Sequence, residues 1–372
     1  MKVITFYLPQ FHQTPENDKW WGEGFTEWTN MKKAKPLFEG HYQPRIPLNN
    51  NYYDLSDVKN IKWQAKIAKE NNIYGFCFYH YWFNGKLLLE KPIHLFRDNK
   101  DIDMNYCLCW ANENWTNGWV SDKNNILIEH DFNNKEDWKK HIDYFIEFFK
   151  DDRYIKIDGK PLLIIYYPNN IPLLKEMLEF WREEVKKAGF SGICFTFQHP
   201  FFYYDKKMDK SLFDYGIEFQ PTFSKITRYK NNSEIQNLKI KISKFLQQKL
   251  NIYIHIKKKL VKYDYDELWK EILKIKPEKY MFPGAFVDWD NTPRKGNRGS
   301  VVEGATPEKF KMYFKELVKK AKEVYKKDYI FVFAWNEWAE GGYLEPDEKY
   351  GYKYLNAIKD VIDEENKGEN NE

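Results

Sequence analysis

Apolar residues gather in eight short runs, at positions 2–8, 73–79, 104–110, 161–167, 192–197, 215–219, 282–287 and 329–334. Each run is almost continuously apolar, the pattern of a strand buried on both faces in a parallel sheet. Helical spacing fills several of the gaps. Val58, Ile61, Ala65 and Ala68 share one face of a helix that ends near Asn71, with Asp54 or Ser56 as its cap. Trp138, Ile142, Phe145 and Phe149 mark a second, over 136–150. Pro172 suits the first turn of a third, and Gly189 ends it. Thr306-Pro307 opens a fourth, with Phe310, Phe314, Leu317, Ala321 and Val324 inward.

Strands alternating with helices predict an α/β fold, most simply a (β/α)8 TIM barrel with long βα loops. The competing doubly wound sheet is disfavoured: no Gly-rich nucleotide turn follows the first run. Polar and aromatic residues also follow nearly every strand, as expected if all the C-terminal ends face one mouth. Residues 1–360 read as a single domain and 361–372 as a polar tail.

Two connections are long. Residues 10–51 are rich in Trp, Gly and Pro, and a loop of about 40 residues in a compact domain is usually functional. The other, 223–277, reads as a basic insertion between strands 6 and 7. From Lys225 to Lys262 it carries eleven Lys or Arg against one acid, Glu234. The stretch from Lys239 to Lys262 mixes apolar residues with lysines, so it is either a solvated helix or a basic amphipathic one that meets an anionic membrane.

The net charge of +4 does not point to nucleic acid. Cys77, Cys107, Cys109 and Cys194 all fall inside apolar runs and read as reduced, structural residues of an intracellular protein. No apolar stretch reaches the roughly 18 residues of a membrane span, and the first is too short for a signal segment. The expectation is a soluble cytoplasmic protein, with any membrane contact at the inner face. Aromatic content of 19%, including 14 Trp, is high; some of it is packing, and the aromatics that cluster at strand exits suit stacking on sugar rings.

The eighth strand runs into Trp335-Asn336-Glu337-Trp338-Ala339-Glu340-Gly341-Gly342. Breaking a glycosidic bond needs two carboxyl groups flanking it. In a helical turn, Glu337 and Glu340 would have Cβ atoms about 5–6 Å apart. Mutual repulsion and burial among indoles would raise the pKa of one, as a general acid requires. Glu337 and Glu340 are therefore the candidate catalytic pair, against the alternative of surface acids on a short helix.

Candidate substrate contacts come from the strand exits and the first long loop: Tyr7, His12, Trp28, His80, Trp82, Trp110, Asn112, Glu113, Trp115, Trp289, Asp290, Arg294, Trp335, Asn336 and Trp338. Glu113 is also a competing acid. His12, His80 and His199 each end a strand, but none shares a ligand spacing, so no metal and no other cofactor are expected. Asp288-Trp289-Asp290 echoes the Asp-x-Asp of metal-dependent sugar transferases, but two unrelated copies elsewhere show how weak that pattern is. The basic residues after it, Arg294 among them, suit either an anion site or a flexible loop.

These stretches carry a family resemblance. Tyr7-Leu-Pro-Gln-Phe-His12, Gly24-Phe-Thr-Glu-Trp28, Phe78-Tyr-His-Tyr-Trp-Phe83, Cys109-Trp-Ala-Asn-Glu-Asn-Trp115, Trp289-Asp-Asn-Thr-Pro-Arg294 and Ala334-Trp-Asn-Glu-Trp-Ala-Glu-Gly341 resemble the WbsX-type family. That family is described as glycosyltransferases of O-antigen and capsule gene clusters, and as similar to glycoside hydrolase family 99. The resemblance implies a (β/α)8 barrel acting on a surface polysaccharide, with a glycan, sugar-nucleotide or lipid-linked sugar as partner. Family 99 hydrolases are retaining endo-α-mannosidases and mannanases. By their motif, Glu337 would take the proton of the sugar 2-hydroxyl and Glu340 would be the acid/base for the leaving group. The hydrolases have His where this chain has Ala339, so their substrate range does not transfer. Three readings follow: a cytoplasmic glycosyltransferase, a retaining endo-glycosidase, and a glycan-binding barrel without catalysis.

Overall fold

The computed structural model describes residues 1–116, 125–199, 208–224 and 260–369. Eight parallel strands form the centre: β1 (Lys2–Tyr7), β2 (Ile73–Phe83), β3 (Asn105–Trp110), β4 (Lys160–Ile165), β5 (Cys194–His199), β6 (Tyr215–Glu218), β7 (Met281–Phe282 and Gly284–Phe286, parted by Pro283) and β8 (Tyr329–Phe333). They pair in chain order from β1 to β6, and β8 pairs with β1 through Ile4 and Phe331. β7 brings the ends together: Met281–Phe282 pairs with β6, and Gly284–Phe286 pairs with β8. The result is a near-closed parallel barrel surrounded by helices. At its seam a Cβ on Gly284 would come within 1.8 Å of the Glu218 carbonyl oxygen. Only glycine fits there, because the two backbones meet where a side chain would stand.

Rings fill the barrel. Phe219 packs edge-on against Phe6 at 5.4 Å and against Phe333 at 5.3 Å. The helices put their apolar faces outside the strands. Thr306 caps Pro307–Lys320 by accepting from Lys309 N, as its sequence predicts. The helix Val58–Glu70 is capped by Asp57 rather than by Asp54 or Ser56. Asp54 instead accepts from Ser56 N in a turn just before it.

Two expectations change. β2 continues to Phe83, four residues past its apolar run, because it folds into a hairpin with Lys86–Leu88. The span 223–277 is not wholly a basic insertion. Val261–Asp264 pairs with Ser300–Glu303, and the helix Tyr265–Lys274 buries Trp269 against Phe286 of β7. Its spaced apolar residues belong to the barrel wall. Most of the stretch from Lys239 to Lys262 lies outside the described residues. Among the described residues, no helix is long and apolar enough to cross a membrane. The four cysteines are free and buried.

Candidate active site

The chain leaving β8 does not continue as a helix. Asn336–Glu337 pairs antiparallel with Gly342–Tyr343, and Trp338–Glu340 forms a single tight turn between them. Gly341 ends the turn with φ +69°, and a Cβ there would sit 2.7 Å from the Asp290 backbone nitrogen. That nitrogen donates to the Glu340 carbonyl at 2.7 Å. The motif is thus a compact hairpin clamped to the loop after β7. Its glycine is needed for a left-handed backbone and for the close approach.

Glu337 and Glu340 both face a cavity of about 250 Å³ at the C-terminal mouth of the barrel. Arg294 joins them. Its Nη1 donates to Glu340 at 2.8 Å, its Nη2 to Glu337 at 3.3 Å, and its Nε to Glu27 at 3.1 Å. Burial raises the Glu337 carboxyl to about 8, against the opposing pull of Arg294. The neighbouring charges of Glu340 and Glu27 push the same way as burial. Arg294 itself stays charged: despite burial, the three glutamates hold it above its ordinary value. One guanidinium thus serves three carboxyl groups, all of them on nearly buried side chains.

Of the predicted contacts, Glu113, Trp115, Trp289 and Arg294 line this cavity with the pair. Trp289 is pinned by its indole N–H to Ser300 Oγ at 2.9 Å. The others lie elsewhere, for reasons of strand geometry. Side chains alternate along a strand. On the extended β2, Tyr79 and Tyr81 face the cavity, so His80 and Trp82 point outward to the helix Lys135–Phe149. There His80 Nε2 meets His141 Nε2 at 2.9 Å, and Trp82 donates to Asp137 at 3.0 Å and stacks on His141. Burial pushes His80 down to about 3, so it stays neutral. Trp110 is on the same outer side, edge-on to His141.

Asn112 exchanges two 2.7 Å hydrogen bonds with the Tyr167 backbone, tying the exits of β3 and β4 together. His12 bonds the Pro9 carbonyl at 3.0 Å. Tyr7 donates to Gln64, and Trp28 donates to the Tyr53 carbonyl. Trp335 is fully buried against Phe76. Asn336 grips the Leu8 backbone with both amide atoms, at 2.7 and 2.9 Å. Trp338 stacks on Tyr343 with centroids 3.8 Å apart.

Asp290 is fully buried and does not line the cavity. It accepts from Gln43 at 2.7 Å and from Thr292 Oγ1 at 2.6 Å, and meets His41 at 2.8 Å. Those bonds hold it at about 2, although burial works against them. Arg45 completes this support by bonding the Gly341 carbonyl and Asp288.

Sequence reasoning missed Glu27, Tyr79 and Tyr81. Glu27 stands in the Gly24-to-Trp28 stretch, but nothing local shows that it reaches Arg294. The tyrosines were legible in principle, since alternation from Tyr79 gives Tyr81 once β2 is known to continue. Burial, then the Glu337 charge, holds the Tyr81 phenol above its ordinary range. Among the described residues, no group of three or more His, Cys, Asp or Glu is arranged to hold a metal ion.

The family model described as glycosyltransferase WbsX matches residues 3–358. Two curated proteins named "Uncharacterized protein WxcX", from two strains of Xanthomonas campestris pv. campestris, are each 32% identical over 364 residues. The match takes in 97% of this chain and 49% of each relative, so the chain spans about half their length. Among solved structures, the GH99 endo-alpha-mannosidase of Bacteroides thetaiotaomicron superposes with a TM-score of 0.55 at 14% identity. That similarity covers 99% of this chain and 98% of the other. A "Glycoside hydrolase-like protein" gives 0.57 at 12% identity, over 97% of this chain and 93% of its own. At such identities the likeness is one of fold.

Proposed function

The chain belongs to the glycosyltransferase WbsX family, and from that premise we propose that its barrel is a carbohydrate-active enzyme that cleaves an α-glycosidic bond with retention, in the manner of an endo-mannosidase. The observation that carries this reading is the joint engagement of Glu337 and Glu340 by Arg294 on one cavity wall. Glu337 takes the proton from the sugar 2-hydroxyl as the 2-oxygen attacks the anomeric carbon. Glu340 gives a proton to the leaving oxygen, and the glycosidic C–O bond breaks. In the second step Glu340 takes a proton from water, the water oxygen opens the three-membered ring at the anomeric carbon, and Glu337 returns its proton to the 2-oxygen. A base works best with a pKa near the operating pH, and the raised carboxyl of Glu337 meets that need. Tyr79, Tyr81, Trp115 and Trp289 offer faces and polar edges to the sugar rings. Glu113 accepts from a sugar hydroxyl.

The family match favours a second reading. In transfer an acceptor hydroxyl replaces water in the second step; with a nucleotide-sugar donor the bond broken in the first step is the one from the anomeric carbon to the phosphate oxygen, the nucleoside diphosphate leaves, and the barrel builds a surface polysaccharide. Product analysis of the purified protein tests both. One reaction holds α-mannan oligosaccharides; the other holds candidate nucleotide sugars with a lipid-linked acceptor. Shortened oligosaccharides of retained anomeric configuration support the first reading. Sugar transfer without cleavage rejects it in favour of the second. Inert Glu337→Gln and Glu340→Gln variants support either reading, and two active variants reject both.

A further inference from the structure

Behind the catalytic hairpin lies a second cavity, of about 480 Å³, with Trp338 and Glu345 in its wall. Glu345 is 3% exposed and is no part of the chemistry described above. We propose that Glu345 is a positioning residue for the glutamate pair: its carboxyl group holds Trp338 directly and Asn336 through Tyr53, and so fixes both neighbours of Glu337. The proposal rests on the assignment of Glu337 and Glu340 as the working pair.

The geometry is direct. Glu345 Oε2 accepts from the Trp338 indole N–H at 2.7 Å and from the Tyr53 hydroxyl at 2.7 Å. Its Oε1 accepts from Gln64 Nε2 at 2.6 Å. The Tyr53 oxygen in turn accepts from Asn336 Nδ2 at 3.4 Å. Asn336 is already locked onto the Leu8 backbone of β1. Glu337 is therefore strung between two residues whose side chains converge on one carboxyl group. A shift of Trp338 would carry the turn to Glu340 with it.

All three direct partners are donors, so the ionised carboxyl satisfies every one of them. A proton on Oε2 must displace Trp338 or Tyr53, and a proton on Oε1 must turn the Gln64 amide over. Burial raises Glu345 to about 7, with the hydrogen bonds from Trp338, Tyr53 and Gln64 among the effects opposing it. The titratable groups facing it are the phenols of Tyr53 and Tyr7, both held well above their ordinary range by burial. Tyr52 and Tyr352 stand in the wall of the rear cavity, through which solvent approaches. Loss of the carboxylate charge beside the Trp338 indole N–H, 2.7 Å away, is thus expected to change that indole's emission as the pH falls through neutrality.

Three forms of the full chain test this: wild type, Glu345→Gln and Glu345→Ala. A glutamine that keeps its carbonyl towards Trp338 and Tyr53 preserves both contacts, and Gln64 can turn its amide over to accept. Expected is a kcat for Glu345→Ala at least about tenfold down with KM within about twofold, and near wild-type kcat for Glu345→Gln. Tryptophan emission of the wild type should titrate near pH 7, and this step should vanish in Glu345→Gln and in Trp338→Phe. An emission unchanged by pH in the wild type overturns the proposal, as does an unimpaired Glu345→Ala. If Glu345→Ala does not fold, the emission titration and Glu345→Gln decide alone. Inactive Glu337→Gln beside fully active Glu345→Ala rejects the positioning role and leaves the pair intact. Active Glu337→Gln rejects the pair, while the emission titration still judges the hold on Trp338.

Discussion

Arg294 holds Glu340 by a 2.8 Å ion pair, and its other two nitrogens reach Glu337 and Glu27. All four side chains are nearly buried, with Glu340 the most open at 14%. After burial, the Glu337 carboxyl is therefore governed partly from outside its own motif, by Arg294 from the loop after β7 and Glu27 from the first loop.

Arg294→Ala leaves three carboxyl groups without their shared cation. Breaking a buried ion network typically costs about 3–5 kcal/mol. Activity is expected to fall at least about 100-fold, with a lowered melting temperature. Arg294→Lys places one point charge where a planar fork spanned three partners, so it should rescue little. Steady-state kinetics and thermal melting check this.

Glu337→Gln and Glu340→Gln remove the acid/base function, and each is expected to cost about 10²–10⁴ in rate. Their melting temperatures should stay near wild type or rise, because each change relieves repulsion among three buried acids. Rates measured alongside melting curves distinguish lost chemistry from lost fold.

If Glu337 is the base, the rate rises with pH as that carboxyl ionises, with a midpoint near 8. Glu27→Gln removes one of the charges that raise it, so the rising limb should move to lower pH. A rate that instead falls through that range assigns Glu337 as the acid. A full pH–rate profile of both proteins gives the answer.

Gly341→Ala forces a side chain into a left-handed backbone, at about 1–2 kcal/mol, and pushes a methyl group to 2.7 Å from the Asp290 nitrogen. The loss of activity should exceed the loss of stability, because the crowded Asp290 nitrogen is the one that holds the Glu340 carbonyl. Comparing kcat with the unfolding free energy tests this.

Glu218, buried on β6 and bonded to Tyr325 at 2.7 Å, is raised from 4.5 to about 7 by burial. Between those values the folded state holds a proton that the unfolded chain releases. Its contribution to stability is complete below pH 4.5 and lost as pH rises through about 7. The slope is about 1.4 kcal/mol per pH unit. Glu218→Gln should remove that slope, seen as a smaller fall in unfolding free energy than wild type shows over the same range.

The sequence by itself determined the barrel. Eight apolar runs, spaced by helical patterns, admit few packings, because each strand is apolar on both faces and each helix on one. It also marked Glu337, Glu340 and Arg294, since all three sit in short stretches of unusual composition at strand exits. Tertiary structure decided which neighbours reach the cavity. A strand's side chains alternate in direction, so one extra turn of pairing in β2 sent His80 and Trp82 outward and Tyr81 inward. Glu27, Glu345 and Asp290 took their roles from partners 267, 281 and 249 residues away in the chain. Contacts of that span leave no periodic trace in sequence, because they depend on where closed strands and folded loops finally bring their side chains together.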